Sequence, residues 1–335
     1  MATKSGRTIA YTQKRTLKDL LVRWETLLVI IFLAVNVMNM TLSPVYLNAR
    51  NLFTNINNFL VKGFIALPMA YILLLGDIDL SVGANVCLSA TILGITYNAT
   101  GSIWLAILAC LAVGTLCGAV NGLILTKFTE LAPMIVTLAT TTLYRGISER
   151  ILGGESTKGM RDVEWFGKLY DARIGPVPIM FLVFCVMAVI FGVVMHKTVF
   201  GRQMYAIGAN SKASRYAGVK VQKIRMIVFT LTGFICGIAA MFYCAWMGAV
   251  KSNIAEGYEL EAISMCVLGG ISTAGGKGNF PGAIISIFII GLLRYGLGLI
   301  NLNPQIIRII IGALLILVVM FPNIRQSIQN SRKKI

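Results

Sequence analysis

Long apolar runs separated by short polar segments dominate the hydrophobic pattern of this chain. A helix needs about 20 mostly apolar residues to cross the hydrocarbon core of a bilayer, so each long run predicts a membrane-spanning helix. The third run is only moderately apolar and the eighth is short. The ten candidate spans cover about residues 24–43, 56–75, 83–98, 103–125, 133–152, 177–196, 224–247, 260–271, 281–300 and 305–321. The pattern predicts an all-α polytopic membrane protein with about ten transmembrane helices.

The composition supports this interpretation and excludes an ordinary soluble domain. Hydrophobic residues make up 57% of the 335 residues and charged residues 13%, whereas soluble domains average about 45–50% and about 25%. The seven cysteines all fall inside apolar runs, and no CxxC or Cys/His cluster is present. We therefore expect small buried thiols, with neither a metal site nor a disulfide framework.

The basic residues predict the orientation in the membrane. The net charge is +17, but the charges collect at the ends of apolar runs, which favours the positive-inside pattern over nucleic-acid binding. With the N-terminus inside and ten spans, nineteen of the 30 lysines and arginines fall in inner segments and six in outer loops. Both termini are therefore predicted to be cytoplasmic.

This arrangement divides the chain into three predicted parts. A basic cytoplasmic segment covers residues 1–23, a transmembrane domain covers 24–321, and a basic cytoplasmic tail covers 322–335. The domain contains two long loops, a strongly basic inner loop at 197–223 and an outer loop of mixed charge at 153–175.

Two glycine-rich segments interrupt the apolar pattern at comparable places in the two halves of the chain, which hints at an internal repeat. The first runs from Leu75 to Gly83 and carries two carboxylates, Asp77 and Asp79. We favour a structural role over acid–base chemistry: Gly76 allows a helix break, and Asp79 or Ser81 can cap the next helix. The second segment runs from Gly269 to Gly278.

The inner loop contains a pattern for a short helix. Asn210 or Ser211 can cap its start, and Gly218 can end it in a left-handed conformation. Ala213, Tyr216 and Ala217 share one face at i, i+3, i+4 spacing. By pattern alone, a solvated basic loop is the simpler interpretation, and docking to a partner is the alternative.

Other charged residues lie within apolar runs. Arg145 and Glu149 are spaced to pair on one helix face. Arg294 and Arg308 need partners or water, and function and snorkelling explain them equally well. No Walker A sequence is present, since the nearest stretch, Gly275 to Gly278, lacks the required hydroxyl residue.

At these motifs the sequence resembles the membrane permease subunits of bacterial ABC sugar importers of the ribose/xylose/rhamnose/autoinducer-2 type. The resemblance covers roughly residues 24–321 and departs from the family pattern at Asp77, where glycine is usual. Four stretches carry it: Gly76 to Gly83; Phe200 to Asn210 with Ala217 to Val219; Val267 to Gly270 with Gly275 to Gly278; and Gly118 to Gly122.

The resemblance implies an ABC type II importer-like permease that forms a homodimer or heterodimer and docks on a separate ATPase chain through a coupling helix at Ser211–Gly218. ATP and Mg²⁺ would bind that partner, and this chain would bind no cofactor and catalyse no reaction. The residues expected to couple to the ATPase are Asn210, Ser211, Lys212, Ala213, Arg215, Tyr216, Ala217 and Gly218. The expected helix-break motif comprises Gly76, Asp77, Asp79, Ser81 and Gly83, and the expected glycine-rich inner turn comprises Gly269, Gly270, Gly275, Gly276 and Gly278.

The resemblance also implies an extracytoplasmic sugar-binding protein that delivers the solute to the outer face. The mixed charge of the outer loop suggests Lys158, Arg161 and Arg173 as contacts for it. The expected function is import of a monosaccharide, ribose-, rhamnose- or autoinducer-2-like, across the bacterial cytoplasmic membrane. The segments 253–260 and 296–299 look most like rhamnose permeases.

Two other functions compete with this one. An ion-gradient-driven sugar transporter would use intramembrane carboxylates as relays, for which Asp77, Asp79 and Glu261 are the candidates. A membrane enzyme is disfavoured, because the chain has a single histidine, His196, and no nucleophile–base motif.

Overall fold

The structure is a computed structural model that describes residues 24–303, 305–313, 316 and 320. The α-helices, in chain order, are α1 (Trp24–Leu42), α2 (Ala49–Leu74), α3 (Val82–Thr100), α4 (Ile103–Lys127), α5 (Pro133–Leu152), α6 (Glu164–Asp171), α7 (Ile179–Lys197), α8 (Val199–Ala209), α9 (Ser211–Tyr216), α10 (Val221–Met247), α11 (Tyr258–Leu268) and α12 (Phe280–Leu299). Residues 305–313 are also helical. The loop before α7 contains a 3-10 turn at Met160–Asp162 and an antiparallel hairpin of β1 (Arg173–Ile174) and β2 (Val177–Pro178).

This architecture confirms the predicted all-α polytopic class. In the described part of the chain, seven helices are long and apolar enough to cross a membrane, namely α1, α2, α3, α4, α7, α10 and α12. The predicted terminal segments 1–23 and 322–335 lie outside the described residues, as does part of the predicted tenth span.

Two predicted spans differ from simple apolar helices. The fifth forms α5, which has 20 residues but is too polar to be among the seven, since it carries Arg145, Glu149 and Arg150 besides several threonines. The eighth was predicted at 260–271, but α11 has only 11 residues. At 1.5 Å per residue it is about 16 Å long, roughly half of the hydrocarbon thickness, so it cannot cross alone.

Helix α2 forms the centre of the bundle. Of its apolar window, 94% is buried inside the protein, against 17% for α1 and 22% for α7. A helix that is hydrophobic all round belongs in a core or in lipid. Helix α2 lies in the core, whereas α1 and α7 leave most of their apolar surface on the outside of the bundle.

Helices α4 and α10 cross at four glycines, Gly114, Gly118, Gly233 and Gly237. A Cβ at Gly118 would lie 2.8 Å from the Gly233 Cα, and one at Gly237 would lie 3.1 Å from the Leu111 Cα. Small residues at a crossing let two backbones approach closely, which is how membrane helices gain packing energy without a hydrophobic driving force.

The two ends of the bundle differ in structure. Following the charge-based orientation, we call the end with α8 and α9 the inner end, and the end with residues 153–178 the outer end. Trp24, at the start of α1, donates a 3.1 Å hydrogen bond to the Leu268 carbonyl. The C-terminus of α11 therefore lies at the same level as the start of α1.

Candidate functional site

Three of the sequence motifs meet at the inner end of the bundle. The Gly276 amide donates a 2.9 Å hydrogen bond to the carbonyl of Leu74, the last residue of α2. The Tyr205 hydroxyl, on α8, donates a 2.7 Å hydrogen bond to the Gly278 carbonyl. Burial raises the pKa of Tyr205, so this hydroxyl stays protonated as a donor. We call this contact of α2, α8 and the glycine-rich turn the inner junction.

Glycine is required at the inner junction because three backbones touch there. A Cβ at Gly208 would overlap the Leu74 carbonyl oxygen and the Gly276 nitrogen. Gly275 and Gly276 have φ angles of +81° and +68°, in the left-handed region that other residues enter at a cost. The glycines quoted for the resemblance therefore let the inner loop lie directly on the end of α2.

The helix break after α2 is held by an ion pair to α10. Arg225 contacts Asp77 through two hydrogen bonds of 2.7 Å, from Nε to Oδ2 and from Nη2 to Oδ1. The Asp77 side chain is 3% exposed and the Arg225 side chain 20%. A bidentate pair of this kind fixes both partners in orientation as well as in distance. The Asp77 carboxylate, at the position where the resemblance leads one to expect glycine, thus has a dedicated partner.

The rest of the helix-break motif is held by hydrogen bonds within the motif and to α4, and Leu80 of the motif is bonded to Thr141 of α5. Asp79 Oδ1 accepts 2.7 Å hydrogen bonds from both the amide and the hydroxyl of Ser81. Ser81 Oγ also accepts a 2.7 Å hydrogen bond from the Asn121 amide on α4. Ser81 makes no side-chain cap to α3. Asp79 instead forms an Asx-turn ahead of the helix, so of the two predicted capping residues only Asp79 binds a backbone N–H here.

The predicted inner-loop helix is present as α9. Asn210 caps it by accepting a 2.9 Å hydrogen bond from the Ala213 amide, and Gly218 follows it with a φ of +84°. Only Ser214 is buried, whereas Ala213 and Tyr216 point outward, Tyr216 with 92% exposure. The face of α9 that was expected to dock is therefore uncovered in this chain.

Arg145 does not pair with Glu149, contrary to the sequence prediction. Its Nη1 donates hydrogen bonds of 3.2 and 3.1 Å to the carbonyls of Ser252 and Ile254. These carbonyls belong to the irregular segment 249–257, which leads into the short helix α11. Backbone groups at membrane depth must be satisfied within the protein, and Arg145 satisfies two of them.

The outer-loop arginines are engaged in the fold. Arg161 pairs with Asp171 at 2.6 Å, and Arg173 donates a 2.8 Å hydrogen bond to the Thr54 hydroxyl at the start of α2. Lys158 is exposed. Of the three residues predicted to contact a binding protein, Lys158 and Arg161 are exposed and Arg173 is half-buried.

A cavity of about 490 Å³ lies at the outer end, between α2, α10, α11 and α12. The residues lining it are Asn55, Asn58, Phe59, Lys62, Trp246, Tyr258, Gly291, Arg294, Tyr295, Gly298 and Leu299. Glu261 stands behind this wall and pairs with both Lys62 and Arg294, each at 2.7 Å. The Lys62 amino group also lies 4.7 Å from the centre of the Tyr258 ring.

From the sequence, Arg294 and Glu261 were considered separately, and their contact with each other and with Lys62 was not predicted. Lys62 and Glu261 are 199 positions apart, and no local spacing relates them. The sequence did indicate that charged residues at membrane depth need partners. That rule does not identify the partners.

Comparisons with known proteins identify relatives over most of the chain. The family described as "Branched-chain amino acid transport system / permease component" matches residues 51–319. The chain is 34% identical to the ribose import permease protein RbsC of Bacillus subtilis, covering 83% of this chain and 86% of that one. It is 33% identical to the L-arabinose transport system permease protein AraH of Escherichia coli (79% and 80%). It is 29% identical to the autoinducer 2 import system permease protein LsrD of Klebsiella pneumoniae (89% and 90%). No solved structure matches.

Proposed function

Because the chain belongs to the family of branched-chain amino acid transport system permease components, we propose that it is the membrane-spanning permease subunit of an ATP-driven ABC importer. Its cargo would be a monosaccharide or a similar small polyhydroxy solute, since the relatives are named for ribose, arabinose and autoinducer 2. The match over most of the chain is the observation that supports the transport function. The exposed helix α9, which follows the helix at the inner junction, supports the proposed coupling mechanism.

Energy would come from a separate ATPase that holds ATP and Mg²⁺. Helix α9 offers a surface for it: the exposed side chains of Lys212, Ala213, Arg215 and Tyr216 stand out from the inner end. An exposed aromatic side chain beside cations suits a protein interface, where tyrosine and arginine are enriched. Asn210 and Gly218 act in this account by fixing the ends of the helix.

A movement of α9 would reach the membrane core through two routes. Helix α8, directly before α9, contacts the end of α2 and the glycine-rich turn at the inner junction. Helix α10, directly after α9, carries Arg225 and thereby holds Asp77 in the helix break. Since both routes end on the segment between α2 and α3, ATPase-driven motion of the inner loop would shift this segment between two arrangements. Partners that prefer different arrangements then change their populations.

The outer face would receive a sugar-binding protein through the loop at 153–175. Lys158 supplies an exposed positive charge there. Arg161 and Arg173 contribute by holding the loop in place, through Asp171 and Thr54, respectively. Selectivity would rest mainly with the binding protein, because a tight site within the membrane would slow release.

A second permease copy, identical or related, would cover helix α5. This helix leaves a stripe exposed along its length, formed by Met134, Leu138, Thr142, Gly146 and Glu149. Glu149 and Arg150 place charges in the last turn of this helix, beside the outer loop. A symmetric partner would bury this stripe. The pair would sit in the bacterial cytoplasmic membrane with all termini cytoplasmic.

The alternative, a transporter driven by an ion gradient, has less support. Its three candidate relay carboxylates are all engaged in this structure, Asp77 with Arg225, Asp79 with Ser81, and Glu261 with two cations. The relatives are named as permeases of import and transport systems, which supports the ATP-driven importer.

The ATPase-docking role of α9 can be tested by purifying the full chain in mild detergent from the cells that make it. We expect an ABC ATPase to copurify, and Ala213→Trp or Arg215→Glu to remove it while membrane insertion is unchanged. Lys251→Glu, an equivalent charge reversal at an exposed outer position, should keep the ATPase bound. Retention of the ATPase by both α9 variants would refute the docking role.

A further inference from the structure

The outer cavity carries more positive than negative charge. Lys62 and Arg294 both pair with the single carboxylate of Glu261, which leaves one positive charge uncompensated. These side chains are largely buried, with exposures of 9% for Lys62, 19% for Glu261 and 33% for Arg294. An uncompensated charge in such surroundings is costly, and a bound negative charge would relieve the cost.

One buried hydrogen-bonding group in the cavity wall has no partner among the described residues. Arg294 donates through Nη2 to Glu261, but its buried Nε has no acceptor there. Buried polar groups are nearly always hydrogen-bonded, so an orphaned group of this kind points to a missing ligand. The guanidinium fork fits two oxygens of a carboxylate or phosphate.

The remaining walls suit a small hydroxylated molecule. Asn55 and Asn58 provide amide groups, while Trp246 and Tyr258 provide aromatic faces. The cavity opens beneath the outer loop, since Tyr170 of that loop donates a hydrogen bond to Asn58 and stacks on Trp246 with 5.8 Å between ring centres. A volume of about 490 Å³ is within the usual range for small-molecule sites, about 300–1,000 Å³.

From these observations we propose that the outer cavity is a cargo site for an anionic, hydroxyl-bearing solute, such as a sugar acid, whose carboxylate binds Arg294 and Lys62. The inference rests on the proposed import function and narrows its substrate class. The incoming carboxylate would compete with Glu261 for the two cations. Entry of cargo would thereby loosen the link of α2 to α11 and α12, which these ion pairs provide.

The test measures thermal unfolding of the purified full chain in detergent with increasing D-galacturonate or D-galactose, which differ in carrying a carboxylate or a hydroxymethyl group. We expect galacturonate, and not galactose, to raise the midpoint temperature of unfolding. Arg294→Gln should weaken galacturonate binding roughly tenfold, the worth of one hydrogen bond to a charged group. Arg50→Gln, at an exposed position on the same side of the membrane, should leave it unchanged.

For Glu261→Gln we expect the opposite change, an increase in the affinity for galacturonate. Removing the internal carboxylate frees both cations, so galacturonate should bind roughly tenfold more tightly. A damaged fold would not bind more tightly, so this result would separate binding from structural effects. Equal responses to the two sugars, or galacturonate binding that neither variant changes, would overturn the proposal.

An anionic lipid is the other source of such a group. The same chain is compared in phosphatidylcholine vesicles with and without phosphatidylglycerol. Stabilisation by phosphatidylglycerol that requires Arg294, without a response to galacturonate, would assign the cavity to lipid and overturn the cargo site. The binding assay uses the permease without its partners, so a negative result for the cargo site is compatible with copurification of the ATPase. Loss of ATPase copurification would instead count against the proposed import function.

Discussion

At the scale of single residues, the pair formed by Asp77 and Arg225 is a buried ion pair with two hydrogen bonds. It joins the helix break after α2 to the first turns of α10, 148 positions away. Breaking a buried ion pair by removing one partner leaves a buried charge and costs about 3–5 kcal/mol, whereas removing both partners costs much less. The pair therefore acts as a fixed link, and each member depends on the other.

We predict strong coupling in a double-mutant cycle of Asp77→Asn and Arg225→Gln. Each single variant should lose about 3 kcal/mol or more of unfolding free energy, and the double variant should lose less than the sum of the two. The measurement is denaturant or thermal unfolding of the detergent-solubilised chain. Additive losses would mean that the two side chains do not depend on each other.

An exposed pair provides the control for this cycle. Arg161 and Asp171 are also in contact, but their side chains are 47% and 57% exposed. Solvent-exposed ion pairs are worth about 0–1 kcal/mol. The cycle of Arg161→Gln and Asp171→Asn should accordingly show a much smaller coupling.

Local residue patterns were predictable from the sequence, and long-range partners were not. Asn210 and Gly218 were identified as the ends of the inner-loop helix because capping depends on residues within a few positions. Arg145 was assigned to Glu149 by the same local rule, and the assignment was wrong. Its actual partners, the carbonyls of Ser252 and Ile254, depend on how the irregular segment before α11 enters the bundle, which no short-range spacing encodes.

At the scale of helices, the crossing of α4 and α10 depends on the absence of side chains. A Cβ at Gly118 would overlap the Phe229 carbonyl oxygen and lie 2.8 Å from both Gly233 Cα and N. These neighbours are backbone atoms, which cannot move away like a flexible side chain. Even alanine at this position would have to push the two helices apart.

We predict that Gly118→Ala destabilises the folded chain by about 1–3 kcal/mol, the usual cost of overpacking a core. Gly312→Ala is the matched control, since nothing lies within 4 Å of the Cβ that it would add to the helix at 305–313. Helix propensity favours alanine over glycine by up to about 1 kcal/mol, so the control should be neutral or slightly stabilising. Unfolding midpoints in detergent compare the two, and equal effects would contradict the packing argument.

Hydrophobic runs identified most helices of the fold, because a fully apolar run of sufficient length has few alternatives to a membrane helix. The apolar run at 260–271 was predicted to be a membrane span, and this prediction was wrong. The helix found there, α11, is long enough to cover only about half of a bilayer. The polar helix α5 was predicted as a span although it lacks the necessary hydropathy.

At the scale of the whole molecule, the motifs quoted for the resemblance to sugar permeases converge. The helix break, the start of the inner loop and the glycine-rich turn are separated in the sequence but touch at the inner junction. Their order along the chain could be recognised from the sequence. Their convergence could not be predicted, because it depends on how α2, α8 and the segment after α11 pack.

The outer cavity lies along the first half of α2, the most buried of the seven long apolar helices, and the inner junction lies at its C-terminal end. Lys62 connects α2 to the cavity, and Leu74 connects it to the glycine-rich turn. A buried helix that contacts two sites can couple them when both sites favour the same arrangement. We infer that α2 is the element through which ATPase and cargo influence each other.

The central claim is that this chain is a conduit whose energy comes from a separate ATPase. The most direct measurement is uptake of radiolabelled D-ribose, L-rhamnose and D-galacturonate into vesicles containing the chain, with and without its copurifying ATPase and a binding protein. The account predicts uphill uptake of one of these solutes only in the complete assembly, dependent on ATP at the face with α9 and blocked by vanadate. Uphill uptake by the chain alone, driven by an ion gradient and insensitive to vanadate, would contradict it.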